Sequence, residues 1–467
     1  MKKILTLSIL VLLSFLFTLS KSLSFEVVYP KMNDVTINSK STFFIGSSDV
    51  PLKINGENVL LHESGGFAHV VNLKDGQNVF IIQSENQRKI YVINKPIIKS
   101  SNITPAKLIE YDKERFYTII TENTPLRSTP VDAGINRMAH LQRGVELKVN
   151  GEKNGFYRVV LGEKNYGWIA KTNVKTIEKF ESADFYGYDF NEDDNFFEFT
   201  FHLNKKVPFE IVESDPMVIK FYNINNQPNN TYEYEFPYKE ATLGKDLLGY
   251  SGEYFGNDFI FKVRKPIAIN EKKPLKNIII GIDAGHGGSE FGAIGCLGDK
   301  EKDINLKIAK ELEKELKRLG AKVVMTREDD EYLGLRERVD YANSQNVVVL
   351  LSIHANALPD GQDPNLNSGT SIYYYYNQAK PLADVLINSM TNQLGTNNDK
   401  VRQGSLALVR NTNALSLLIE VAYLINPNDN SKLINSDFQS DCAKSIANGL
   451  EEYFKTYQKN IIQEGLK

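Results

Sequence analysis

The chain has 467 residues but only two cysteines, Cys296 and Cys442, and a single tryptophan. Two thiols can neither build a disulfide framework nor form a zinc knuckle, so a bound metal would have to use histidine and carboxylate ligands. Whether the two cysteines pair is left open by their number alone. An excess of charge of either sign is also missing: 55 Lys+Arg against 58 Asp+Glu give a formal net charge of -3. That balance gives no reason to expect nucleic acid or an anionic membrane as a partner. Long apolar runs are absent beyond the amino terminus. There, Lys2 and Lys3 precede "ILTLSILVLLSFLF" and the small residues of "TLSKSLS". This is the pattern of a secretory signal covering residues 1–24, and it falls short of the ~20 apolar residues that a membrane span needs. The expectation is an exported protein, in the periplasm or at the cell wall or outside the cell, with no transmembrane segment once the signal is removed.

The length exceeds one ordinary core and predicts a multidomain chain. Over 25–98, short apolar runs such as "FEVVYP", "FAHVVNL" and "KIYVIN" alternate with turn signals, and Asn55-Gly56 and Asp75-Gly76 read as hairpin turns. The pattern predicts a β-sandwich of immunoglobulin-like type, in which His62 and His69 are ordinary strand residues. "KPIIKSSNITPAK" has the composition of a linker. A second β-rich unit, 112–177, contains "LQRGVELKVNGEKNGFYRVVLG" and "YGWIAKTNV" and resembles bacterial Src-homology-three-like barrels. That resemblance makes Tyr157 and Trp168 candidate wall-binding aromatics, with core filling as the alternative. A third unit, 180–268, is again β-rich and is either a wall-targeting module or a spacer. In its "FFEFTFHL", Phe197, Phe199, Phe201 and Leu203 alternate with polar residues, so one face is buried and His202 lies on the wet one.

From 276 to 458 the pattern changes to strands alternating with helices, which predicts an α/β domain with a mainly parallel twisted sheet flanked by helices. "DINLKIAKELEKELKRLG" places Ile304, Ile308, Leu312 and Leu316 on one helical stripe, with Asp303 as the expected N-cap and Gly320 as the stop.

Two of the six histidines end apolar strands in this region: His286 in "IIIGIDAGHGG" and His354 in "VVVLLSIHAN". The glycines around His286 first suggest a phosphate loop. A dinucleotide fingerprint would need glycine where Glu290 stands, however, and no Gly-Lys-Ser/Thr follows. Glu420 ends a third strand, "LSLLIE", and Glu301 stands just before the amphipathic helix. In open α/β sheets ligands bind beyond the carboxyl ends of the strands, and a His/Glu/His set suits zinc with an open position for water.

With "TREDD", "LGLRERVDYAN", "LALVRNT" and "LIEVAYLIN", these segments resemble the successive motifs of the zinc-dependent N-acetylmuramoyl-L-alanine amidases, from about Asn277 to Phe454. The resemblance implies that His286, Glu301 and His354 bind one Zn2+, that Glu420 is the catalytic carboxylate, and that peptidoglycan is the substrate. The cleaved bond would be the amide between muramic acid and L-alanine. Asn356, Arg327, Arg338 and Arg410 fall in shared motifs either as direct contacts or as loop braces, and Asn356 and Arg410 are the candidate substrate contacts. Ala414-Leu415 and Ala422-Tyr423 depart from the dipeptides frequent in the family, which bears on how substrate is placed around Glu420. Some relatives cover the zinc site with a long helical insertion. Here "NQAKP" leaves no room for one, so any restraint is expected from the preceding domains or from localisation. Two further readings are a wall-binding protein that no longer turns over and a non-haem iron oxygenase, which can use the same ligand types.

Overall fold

A computed structural model describes residues 24–97, 106–236 and 247–463. The expected signal segment therefore lies, up to residue 23, outside the described residues. Among those described, no helix is long and apolar enough to cross a membrane.

In the C-terminal domain, numbered here by itself, the elements are β1 (Ile279–Ala284), α1 (Glu301–Arg318), β2 (Lys322–Met325), α2 (Leu335–Ser344), β3 (Val349–Asn356) and β4 (Thr370–Tyr374). They continue with α3 (Lys380–Leu394), β5 (Asn398–Gln403), β6 (Leu415–Tyr423), α4 (Pro427–Leu433) and α5 (Ser436–Gln463). The strands form one sheet in the order β2-β1-β3-β6-β4-β5. The β4/β6 pair is antiparallel and every other neighbouring pair is parallel. The central strands β1, β3 and β6 are almost continuous apolar runs because helices cover both of their faces. On one side, Ile304, Ile308, Leu312 and Leu316 of α1 share a core with Ile446, Leu450 and Phe454 of α5. On the other, Ala342 of α2 packs with Leu350 and Leu408.

Helix α1 begins at Glu301, two residues before the expected N-cap, so Asp303 lies in its first turn instead. Both carboxylates there face the positive end of the helix dipole, which favours the earlier start.

The first unit is built from two sheets. Phe25–Tyr29, Ser41–Ser48 and Gly66–Asn72 form a three-stranded sheet, and a five-stranded sheet lies opposite; Phe44, Phe67, Ile82 and Ile93 fill the space between them. Asn55-Gly56 closes a hairpin between Lys53–Ile54 and Glu57–Asn58, as expected. Asp75-Gly76 does not. It carries the chain from one sheet into the other, because the strands on either side of it belong to different sheets.

The next stretch holds a seven-stranded sheet between Ile109 and Thr176, then a four-stranded and a three-stranded sheet up to Arg264. These do not have separate cores. Leu126, Val149 and Leu161 belong to the same apolar cluster as Phe199, Phe201, Phe221 and Phe259. The two modules expected at 112–177 and 180–268 are thus fused through one interior. His202 lies on the wet face, between Asp189 and Asp258 at 3.1 Å each.

The β-units meet the C-terminal sheet at opposite ends. The third contacts the segments leading into β3 and β6: Arg264 donates to the Val347 carbonyl at 3.1 Å, and the Tyr250 N–H to the Thr412 carbonyl at 2.8 Å. The first packs on segments that follow the same strands, with Leu358 and Ile425 in its contact. Gly249, at φ 138°, lies in the lower seam, where an added Cβ would come within 2.2 Å of the Asn413 carbonyl oxygen. Gly256, at φ 63°, has open space around it. Gly249→Ala should therefore lower the thermal unfolding midpoint clearly more than Gly256→Ala, which carries only the backbone penalty of about 1 kcal/mol. Equal shifts in the two variants, measured by calorimetry, would contradict this seam.

Candidate metal and active site

Beyond the carboxyl ends of β1, β3 and β6 the structure brings His286, Glu301, His354 and Glu420 together. Three of these, His286, Glu301 and His354, offer ligand atoms that all lie within 4.8 Å of one another. Glu301 Oε2 is 3.2 Å from His286 Nε2, and Glu301 Oε1 is 3.0 Å from His354 Nδ1. The imidazole rings stand edge to face at 5.0 Å. Tetrahedral bonds of ~2.0–2.1 Å put donor atoms roughly 3.3 Å apart, so the set fits a small divalent ion such as zinc.

Glu301 is buried, and burial alone would push its carboxyl up. Hydrogen bonds and charge from the two imidazoles outweigh this and hold it well below the usual carboxylate range. Three further donors orient the carboxylate. The Ala293 N–H donates to Oε2 at 2.8 Å, and the Ala355 N–H and Asn305 Nδ2 donate to Oε1 at 3.2 and 3.3 Å.

The glycines make room for these side chains. A Cβ on Gly285 would lie 2.3 Å from the His354 ring, and one on Gly292 2.4 Å from Glu301 Oε2. His286 itself adopts φ 62°, the turn that swings its ring back over the sheet.

Glu420 is the residue paired with His354 across β3 and β6. Its Oε2 is sealed from solvent and has no hydrogen-bond partner. Burial pushes its pKa up to about 7; the nearby Glu301 charge acts in the same direction and His354 opposes it. A carboxyl with an unengaged oxygen beside a three-ligand set is suited to accept and return a proton near neutral pH.

The arginines of the shared motifs divide by position. Arg327 is fully buried and donates to the carbonyls of Ala284, Gly285, Lys302 and Asp329 at 2.8–3.1 Å. Arg338 binds the His286 carbonyl at 2.8 Å and Asp283 Oδ1 at 2.8 Å. Both hold the backbone of the His286 loop and are fully occupied in doing so. Arg410 is not brought to the cluster. It precedes β6, bonds the Ser405 carbonyl at 2.7 Å, and lies at the end of the strand away from Glu420; five residues of strand put these ends roughly 16 Å apart. Asn356 does stand on the site's rim, at the end of β3. Tyr157 and Trp168 lie far from the cluster in the seven-stranded sheet, both half-buried, with Tyr157 against Tyr117 at 4.4 Å. The site residue that sequence reasoning missed is Asn305, fully buried one helical turn after Glu301. The available signal was an amide among Ile304 and Ile308 on the buried stripe. Cys296 and Cys442 are both buried and form no disulfide.

A family model described as N-acetylmuramoyl-L-alanine amidase matches residues 280–452. The chain is 35% identical over 223 residues to the N-acetylmuramoyl-L-alanine amidase LytC of Bacillus subtilis (strain 168), covering 46% of this chain and 44% of that protein. It is 36% identical over 186 residues to the probable cell wall amidase LytH of Staphylococcus aureus, covering 39% of this chain and 61% of that protein. The chain thus spans less than two thirds of the length of either curated relative. Among solved structures, the catalytic domain of CwlV, an N-acetylmuramoyl-L-alanine amidase from Bacillus (Paenibacillus) polymyxa var. colistinus, is 35% identical. That match covers 38% of this chain and 97% of the other, with a TM-score of 0.36.

Asp283 supports the site from below. It is fully buried, and although burial raises its pKa, Arg338, Ser352 and Thr326 outweigh that and hold it below the usual range. A depressed carboxyl contributes stability that is present above the unfolded value of about 3.9 and is lost as pH falls through the folded one. Asp283→Asn should cost about 3 kcal/mol or more at pH 7, because Arg338 loses its buried partner, and should flatten the acid limb of stability against pH. An unchanged unfolding midpoint at neutral pH would contradict the role given to this pair.

Proposed function

We propose that this chain, whose C-terminal region belongs to the N-acetylmuramoyl-L-alanine amidase family, is an exported cell-wall hydrolase that cleaves the amide between N-acetylmuramic acid and the L-alanine of peptidoglycan stem peptides. The observation that carries this reading is the partnerless Glu420 oxygen beside the His286/Glu301/His354 set. His286, Glu301 and His354 would hold zinc, and Asn356 on the rim is the candidate substrate contact. When bound, zinc supplies Lewis acidity, polarising the scissile carbonyl and making water nucleophilic near neutral pH. The protein's own part is proton traffic. Glu420 takes the proton of the attacking water on its carboxylate and returns it to the departing alanine nitrogen.

Export to the periplasm or the outer wall follows from the signal pattern and from the substrate. The iron-oxygenase reading has no use for a proton-transfer carboxylate here, and a non-catalytic wall binder has no use for one held at a raised pKa. Glu420→Gln should lower the rate on purified peptidoglycan by about 10²- to 10⁴-fold while the protein keeps one zinc per chain by elemental analysis. Parent-like lysis by that variant, or purified parent protein carrying iron instead of zinc, would sink the proposal.

A further inference from the structure

The central strand of the first unit's three-stranded sheet, Ser41–Ser48, is buried on both faces, which a free-standing sandwich would not require. Along Ser41–Ser48, Phe44 points into the sandwich's own core, whereas Phe43 and Ile45 join Ala68 in a separate cluster. The other buried members of that cluster are Cys296 and Ile425, and Leu358 packs at its edge. Each of these three belongs to a loop that adjoins an element or turn bearing a site residue. Cys296 lies between His286 and Glu301, Leu358 follows His354, and Ile425 follows Glu420.

The same loops are tied to one another. The Cys296 thiol donates to the Ile425 carbonyl at 3.4 Å. Asn426 Nδ2 donates to the carbonyls of Pro364 and Asn367 at 2.8 and 3.1 Å, and the Leu297 N–H to Asn430 Oδ1 at 3.2 Å. A polar anchor joins the sandwich to this knot. Both Asp360 oxygens accept from the Tyr29 hydroxyl at 2.9 Å, and Oδ1 also accepts from Thr42 Oγ1 at 2.5 Å. Asn365 Nδ2 donates to the Ala68 carbonyl at 3.1 Å.

We infer that the first β-unit is a fixed part of the catalytic apparatus: it clamps the three loops that adjoin the metal ligands and Glu420, and Asp360 is the positioning residue of that clamp. This rests on the functional reading of those four residues given above. Loops beyond strand ends are the least stable parts of an α/β domain, whereas a catalytic set must be held to within about 0.5 Å. The apolar seam and Asp360 supply that restraint from outside the catalytic domain.

The test uses the full chain with Asp360→Ala, Asp360→Asn, and Phe80→Leu as a control that loosens only the sandwich's own core. Zinc affinity is read by chelator competition, kcat and KM on a soluble muramoyl-peptide, and amide hydrogen exchange over 287–300 and 357–368. Asp360→Ala is expected to weaken zinc and lower kcat by about tenfold each, in the range seen when the partners that orient metal ligands are lost. KM should move little and exchange should quicken in both loops. Asp360→Asn keeps an acceptor for Tyr29 and Thr42 and should recover most of the loss. Phe80→Leu should lower the unfolding midpoint without moving zinc affinity. The inference is overturned if Asp360→Ala matches the parent in zinc affinity and loop exchange, or if Phe80→Leu reproduces its losses. A parent chain that cleaves no muramoyl–alanine amide, with Asp360→Ala still loosening zinc, would instead sink the functional reading and leave the clamp standing.

Discussion

A carboxylate withdrawn from water between two imidazoles is costly to bury, and Glu301 persists there because donors converge on both of its oxygens. Much of the domain's architecture serves that arrangement. The His286 loop can approach because glycines leave space for the His354 ring and the Glu301 carboxylate. Arg327 and Arg338 then lock the loop by its carbonyls, and Asp283 neutralises Arg338 beneath it. Glu420 completes the site because it is excluded from this network: its Oε2 is sealed from solvent without a donor, and burial pushes its pKa up to about 7.

The two ends of the catalytic sheet carry different loads. At the end where the strands begin, the fused second and third units grip backbone carbonyls near Val347 and Thr412, contacts that fix orientation and have no access to the chemistry. At the end where the strands finish, the first unit is laid against the loops that adjoin the reacting groups. The chain thereby supports its active site from a domain that lies first in sequence.

The elements that position the site were legible where one physical rule acts alone. The apolar strands ending in His286, His354 and Glu420 announced a parallel sheet with its chemistry at one edge, and the Ile304 to Leu316 stripe announced α1. What stayed hidden depends on partners distant in sequence. Asp75-Gly76 has the composition of a hairpin turn, but whether flanking strands pair is decided by which sheet each joins. Arg410 shares a motif segment with site residues, yet β6 carries it to the opposite end. The shared core of the second and third units, and the second buried face of Ser41–Ser48, could not be read from period two, because alternation marks a face as apolar without saying what covers it. Asn305 was obscured for a similar reason: an amide on a buried stripe has meaning only once the carboxylate one turn away is known to need a donor.

The most direct measurement is mass spectrometry of the soluble products released when the purified full-length protein digests purified peptidoglycan. The account predicts stem peptides with a free L-alanine amino terminus, together with glycan strands that gain no new reducing ends. New reducing sugars, or peptides cut within the stem, would contradict it.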